Sequence, residues 1–347
     1  MMKEILKRHL KQYPRMQIVD VVKLLFQSEF GGGHMVASPS KSLAWIRAEW
    51  KDAASDADCL EEIGDGMYRM YLSVLNQGLR PETLNQMFVR TADRTIGKRE
   101  RFEQKLGLLV EGCEQGDFPF PPDAVRTYLK EYRALGYPPV SHSSLYRDMY
   151  HPSYRVVAEC YARYYPVFLE IDRALSAAGT HPVTVAIDGM CGSGKSTLGR
   201  LLEEVYGCNL FHMDDFFLRP EQRTPERMKE IGGNVDYERF QEEVLNHLGD
   251  PTGFTYQIFD CSAWRLGDFI KVPCKQLNII EGAYSQHPFF GDVYDLRFYY
   301  GIDPEEQQRR ILKRNGAAML ERFRNEWIPM EMRYLETYEI EKKSIAV

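Results

Sequence analysis

The residues best suited to chemistry lie at the middle of the chain, where Gly189-Met190-Cys191-Gly192-Ser193-Gly194-Lys195-Ser196-Thr197 fits the pattern G-x-x-x-x-G-K-[ST]. A polyphosphate needs these types at this spacing. Gly189, Gly192 and Gly194 let the backbone curl and turn successive N–H groups inward, Ser193 among them, toward the positive N-terminus of the helix that follows. Lys195 would reach the β and γ phosphates, the Ser196 hydroxyl would ligate Mg²⁺, and Thr197 would touch the α phosphate. The flanks agree with this reading. Val183-Thr184-Val185-Ala186-Ile187 reads as a strand ahead of the loop, and Leu198, Leu201, Leu202 and Val205 share one face of a helix behind it. A nucleotide-binding loop with ATP and Mg²⁺ as ligands is the expectation.

Two further apolar runs end in acids. Asn209 to Met213 leads into Asp214-Asp215-Phe216-Phe217, at the carboxyl edge where open parallel sheets bind ligands. Transfer of a phosphoryl group to an alcohol needs a carboxylate that orients the hydroxyl and takes its proton, which points to Asp214. Helix capping is the competing role for Asp214, and more strongly for Asp215. Leu277-Asn278-Ile279-Ile280-Glu281-Gly282 reads as a buried strand whose acid, Glu281, would hold Mg²⁺ directly or through water. Cys191 reads as a small filler, because no His–Asp pair stands nearby to activate it.

The chain around these residues is that of a folded, water-soluble protein. It has 347 residues, 44% hydrophobic and 27% charged, enough for two domains. Fifty acidic residues against 44 basic ones give a net charge of −6, which argues against a nucleic-acid partner. Seven cysteines with no C-x-x-C pair suit a reducing, cytoplasmic location. No apolar run approaches the roughly 20 residues of a membrane span, and the basic N-terminus has no apolar core of a secretion signal.

Texture changes near residue 180. Residues 1–178 have apolar residues at helical spacing, as in Ile18, Val21, Val22 and Leu25, punctuated by glycine and proline. They are expected to form a mainly α-helical domain of five to eight helices, ending in one long helix from Pro152 to about Ala178 with a kink at Pro166. Residues 179–347 alternate strands (Val183 to Ile187, Asn209 to Met213, Leu277 to Ile280, Leu296 to Tyr300) with helices (Thr197 to Tyr206, Asp236 to His247, Pro304 to Arg314). That is the pattern of an α/β domain with a parallel sheet.

In order along the chain, VTVAIDGMCGSGKST, HMDDFF, NVDYERF, IIEGAYS and DPEEQQRRILKRN resemble the uridine kinase-like branch of P-loop kinases, over about Pro182 to Arg324. That branch includes uridine-cytidine, nicotinamide riboside and pantothenate kinases and phosphoribulokinase. The resemblance implies that Asp214 is the base and that Asp236 binds a vicinal diol. Helix capping is the other role for Asp236. The resemblance also implies that arginines of the 309–314 run, with Arg310 and Arg314 leading, close over the phosphates. Where uridine kinases carry a pyrimidine-reading histidine, this chain has Phe259-Asp260-Cys261-Ser262-Ala263-Trp264-Arg265. Trp264, stacking on a base or filling a core, and Arg219 complete the candidate acceptor contacts.

The helical half adds Gly31-Gly32-Gly33, which suits a close ligand approach or a helix stop, and the polar clusters Thr91 to Arg94 and His142 to Arg147. Its histidines lack paired metal spacing. Trp327 to Tyr334 would pack the final helix or border the acceptor pocket. Together these features predict a two-domain kinase using Mg²⁺ and ATP on a small hydroxyl compound, nucleoside-like by preference, with room for a homo-oligomer. A non-nucleoside acceptor, or an ATP-driven switch whose N-terminal domain binds a protein or peptide, are the alternatives.

Overall fold

The computed structural model describes residues 1–51 and 59–347. The chain divides into two compact units, Met1–Leu169 and Glu170–Val347. The division falls inside a helix, some residues ahead of the 178/179 boundary expected from sequence texture.

The first unit contains α1 (Met2–Gln12), α2 (Ile18–Phe30), α3 (Pro39–Trp50), α4 (Pro81–Arg94), α5 (Arg99–Glu114), α6 (Pro122–Ala134), α7 (Ser144–Tyr150) and α8 (Glu159–Arg163), and α9 (Tyr165–Ala178) runs out of it. Leu6, Val21, Leu25, Phe102, Leu109 and Leu129 pack into its core, as their helical spacing predicts. It also contains an antiparallel sheet, β1 (Leu60–Gly64), β2 (Met67–Tyr71) and β3 (Tyr154–Ala158), that the helical reading did not anticipate. The predicted long helix from Pro152 is therefore corrected to β3, α8 and α9. Val156 and Val157 are buried on β3, whose backbone pairs with β2 from Met67↔Ala158 to Tyr71↔Tyr154. Tertiary strand pairing overrides the local helical signal here.

The second unit is built on a sheet in the order β10-β9-β4-β8-β5, parallel throughout: β4 (Val183–Gly189), β5 (Asn209–His212), β8 (Leu277–Glu281), β9 (Leu296–Tyr300) and β10 (Ile345–Ala346). Every residue of β4 is buried, as a central parallel strand requires. Helices α10 (Lys195–Tyr206), α11 (Tyr237–Glu243), α12 (Pro304–Asn315), α13 (Ala317–Arg322) and α14 (Ile328–Thr337) flank the sheet, and a π-helical turn at Phe323–Trp327 joins the last two. A two-stranded antiparallel hairpin, β6 (Phe254–Asp260) and β7 (Arg265–Val272), is inserted before β8. Strand β4, the glycine loop and α10 run in succession, the arrangement of an α/β domain with a P-loop. Among the described residues no helix is long and apolar enough to cross a membrane, and all seven cysteines are free.

A buried polar network ties the first unit together. Asp20 on α2 accepts from the Ser143 N–H at 2.9 Å and hydroxyl at 2.7 Å, and lies 3.0 Å from His142 Nδ1. His142 Nε2 meets the Tyr154 hydroxyl at 2.7 Å, which in turn donates to Gln27 at 3.2 Å. Fully buried Arg69 donates to the same Gln27 oxygen at 3.0 Å and to Glu61 at 3.1 Å. The polar cluster at His142 thus holds the fold. Burial pushes the His142 imidazole down to about 4, with Arg69 and Lys23 helping and Asp20 opposing.

The folded-state value lies below the unfolded one of 6.5, so the unfolded chain takes up the extra proton as pH falls. Stability held by neutral His142 is therefore complete above pH 6.5 and lost on the way down to about 4, by roughly 3 kcal/mol. His9, also lowered by burial, adds in the same direction. Urea denaturation across this window is expected to show a shallower pH slope for His142→Gln than for the unmodified chain. Parallel slopes would assign the loss to other groups.

Candidate active site

The loop is shaped by the crowded end of β4. Gly189 has φ +136°, and a Cβ there would meet the Tyr300 carbonyl oxygen of β9 at 2.3 Å, so only glycine fits. Gly194, at φ +117°, caps the start of α10. Lys195 is buried and folds back on the loop, Nζ donating to the Gly189 and Met190 carbonyls at 2.8 and 2.9 Å. The Ser193 hydroxyl is buried with no hydrogen-bond partner. An orphaned donor, a lysine ammonium and the N-terminus of α10 meet here, and this set fits the phosphates of a nucleotide.

Asp188, unremarked by the sequence reading, anchors the loop. Its carboxylate is fully buried and accepts from the Gly189 N–H at 2.6 Å, the Gln286 N–H at 2.9 Å and the Tyr334 hydroxyl at 2.7 Å. Burial pushes its carboxyl up, and these donors with Lys195 pull it back.

Strand register brings the acids together. His212 and Glu281 are partners across β5 and β8, and His212 Nδ1 lies 2.5 Å from Glu281 Oε1. That contact, opposed by burial, raises the imidazole pKa, with the charges of Glu281, Asp215 and Asp214 adding to it. Asp214 opens onto the adjoining cavity, yet the protein atoms crowded around it, and then the Glu281 charge, hold its carboxyl above the usual carboxylate range. Asp215 turns away and accepts from the Tyr256 hydroxyl of β6 at 3.2 Å.

The cavity encloses about 700 Å³. Gly192, Gly194, Lys195, Ser196 and Thr197 line it, together with Asp214 and Glu281. Arg310 and Arg314 of α12 also line it, and Arg310 donates to the Ser193 carbonyl at 2.8 Å. Arg309 instead pairs on the surface with Glu306, whose carboxyl Arg309 and Arg310 hold down to about 2. Trp264, at the β6–β7 turn, lines the cavity and is 54% exposed.

Two candidate acceptor residues lie elsewhere. Asp236 is buried, accepts from the Arg239 N–H at 3.2 Å as the cap of α11 and from Gln222 at 2.9 Å, and does not line the cavity. The structure gives it the capping role that its position ahead of a helix allowed. Arg219 likewise lies off the cavity, donating to Gln222 at 3.0 Å.

Sequence reasoning missed Arg223, Tyr284 and Arg322, which line the cavity. Trp327, Met330 and Glu331 border it, one of the two roles anticipated for the 327–334 segment. Glu331 accepts from the Cys191 N–H at 2.8 Å, and burial pushes its carboxyl up. The Cys191 thiol is likewise pushed up by burial, which disfavours its thiolate. Spacing offers no signal for these residues, because they come from loops and from a helix about 140 residues beyond the phosphate loop.

No protein-family model matches the chain, and no curated protein matches it in sequence. Among solved structures, the chain is similar to a possible uridine kinase from Bacillus stearothermophilus, with 19% identity over 51% of this chain and 98% of that one, at a TM-score of 0.38. It is also similar to D-glycerate 3-kinase from Cryptococcus neoformans, with 16% identity over 43% of this chain and 78% of that one, at a TM-score of 0.35.

Tyr334→Phe removes one of three donors to the buried Asp188 carboxylate. The expected loss is roughly 1–3 kcal/mol, read as a lower urea midpoint with an unchanged m-value. An unchanged midpoint would show that Asp188 does not depend on this hydroxyl.

Proposed function

We propose that this protein is a kinase that moves the γ-phosphoryl group of ATP, with Mg²⁺, to a hydroxyl of a small molecule, a nucleoside-like acceptor being preferred. One observation carries this reading: the phosphate loop and the Asp214 carboxylate face the same 700 Å³ cavity. A hydroxyl held between them has a base on one side and a phosphorus atom on the other.

In this reading the acceptor oxygen attacks the γ phosphorus in line, the bond to the β,γ-bridging oxygen breaks, ADP leaves, and the hydroxyl proton passes to Asp214. A carboxyl held above its usual range is better poised to accept that proton near neutral pH. Lys195, the loop amides, Arg310 and Arg314 stabilise the charge on the transferring group. Ser196 and Glu281 would hold Mg²⁺, which neutralises phosphate charge when bound. Oxygen donors suit that ion, and Mg²⁺ bound through phosphates and water needs only one or two protein ligands. The exposed Trp264 ring offers a face for a base, which supports the nucleoside-like preference. Asp236 and Arg219, buried in a cap and off the cavity, are not needed for this reading.

The test is ADP release from Mg²⁺-ATP across a panel of nucleosides, sugars, vitamins and amino alcohols, against acceptor-free turnover. At least one compound is expected to stimulate release strongly. With that compound, Asp214→Asn is expected to lower kcat by about 10²–10⁴-fold while Mg²⁺-ATP still binds. A flat panel, or an Asp214→Asn variant of unchanged rate, would overturn the kinase reading in favour of a nucleotide-driven switch.

A further inference from the structure

Five cationic side chains line the cavity, and four of them are already engaged. Lys195 rests on loop carbonyls. Arg310 lies 2.7 Å from Glu306 and Arg322 lies 3.3 Å from Glu326. Arg314 donates to the Asn315 side chain at 2.7 Å. Arg223 differs. Its guanidinium lies over the Trp264 ring, 5.5 Å from the centroid, and among the described residues it has no acidic partner.

Arg223 lies on the segment that follows the Asp214–Phe216 turn, and both Arg223 and Asp214 line the cavity. Strand β6, which leads up to the tip carrying Trp264, is tied to the Asp214–Asp215 turn through the Tyr256 hydroxyl on Asp215 at 3.2 Å. The tip itself is built. The Asp260 carboxylate accepts from the Ser262 and Ala263 N–H groups at 2.8 and 3.1 Å, and Trp264 is held at φ +53°, a left-handed conformation that a bulky residue rarely adopts. The tip thus holds an indole ring beneath an arginine at the mouth of a site that already has enough cations for the nucleotide.

We propose that Arg223, stacked on Trp264, binds an anionic oxygen group of the acceptor, a carboxylate or a phosphate, so that the substrate of this site is an anionic hydroxyl compound. This deepens the kinase reading above and rests on it. A guanidinium held by a cation–π contact, here 5.5 Å from the ring centroid, with no acidic partner keeps N–H donors for two-point binding of such a group. The cavity also contains Asp214, Glu281, Glu326 and Glu331, so an anionic acceptor enters only where a cation offsets them.

Matched pairs of acceptors test this with Mg²⁺-ATP and the full chain: glycerol against glycerate and uridine against orotidine for carboxylates, ribose against ribose 5-phosphate for phosphates. In the arm that responds, the acidic member is expected to have a kcat/KM at least about tenfold above its neutral partner. Arg223→Gln is expected to raise KM for that compound about tenfold or more with kcat nearly unchanged, and Arg223→Lys to recover part of the loss. Arg223 is exposed, so its variants are expected to keep the thermal midpoint of the unmodified chain. Equal use of neutral partners, or an Arg223→Gln effect of the same size on both members of a pair, overturns the proposal and leaves the kinase reading standing. No turnover with any compound, while Mg²⁺-ATP still raises the thermal midpoint, overturns both.

Discussion

A carboxylate sealed from water organises the second unit. Asp188 has no solvent exposure, and a buried charge is tolerated only where donors converge on it. Three do, each from a different part of the chain: the first loop amide at Gly189, the Gln286 amide beyond β8, and the Tyr334 hydroxyl on α14. Satisfying one side chain fixes where the phosphate loop begins, where the chain goes after Glu281, and how the last helix approaches. With α14 held there, Met330 and Glu331 border the cavity, and Glu331 takes the Cys191 amide.

The cavity has two electrostatic regions. Near the loop, backbone N–H groups, Lys195 and the arginines of α12 favour an anion. Asp214 and Glu281 line the same cavity, where burial and the Glu281 charge push the Asp214 carboxyl up, while His212 holds Glu281. A nucleotide triphosphate on one side and a hydroxyl on the other would complement this division. Arg223, from the loop after β5, lies over Trp264 of the β6–β7 hairpin, and both line the cavity.

Much of this was legible from residue order. The strand, glycine loop and helix from Val183 to Tyr206 follow local rules, so the second unit's class and the loop residues emerge from spacing. Asp214, Glu281, Arg310 and Arg314 stand at the ends or along one face of elements whose periodicity is plain, and the structure brings all four to the cavity. Trp264 is there as well. The first unit was harder. Tyr154 to Ala158 looks like helix until β2 lies beside it, because pairing partners more than 80 residues apart, from Tyr71↔Tyr154 to Met67↔Ala158, leave no local trace.

The sequence by itself determined what depends on neighbours along the chain: the phosphate loop, the helix behind it, the acids closing β8 and following β5, and the alternation that makes a parallel sheet. Tertiary structure decided which of two compatible roles each polar residue takes. Asp236 could cap a helix or face a ligand, and packing buried it as a cap. Arg219 went to a local turn, whereas Arg223, four residues on, reached the cavity. Asp188, Glu331 and Tyr334 acquired their partners only on folding, because a buried charge is satisfied by whatever donors the fold brings within 3 Å, however distant in sequence.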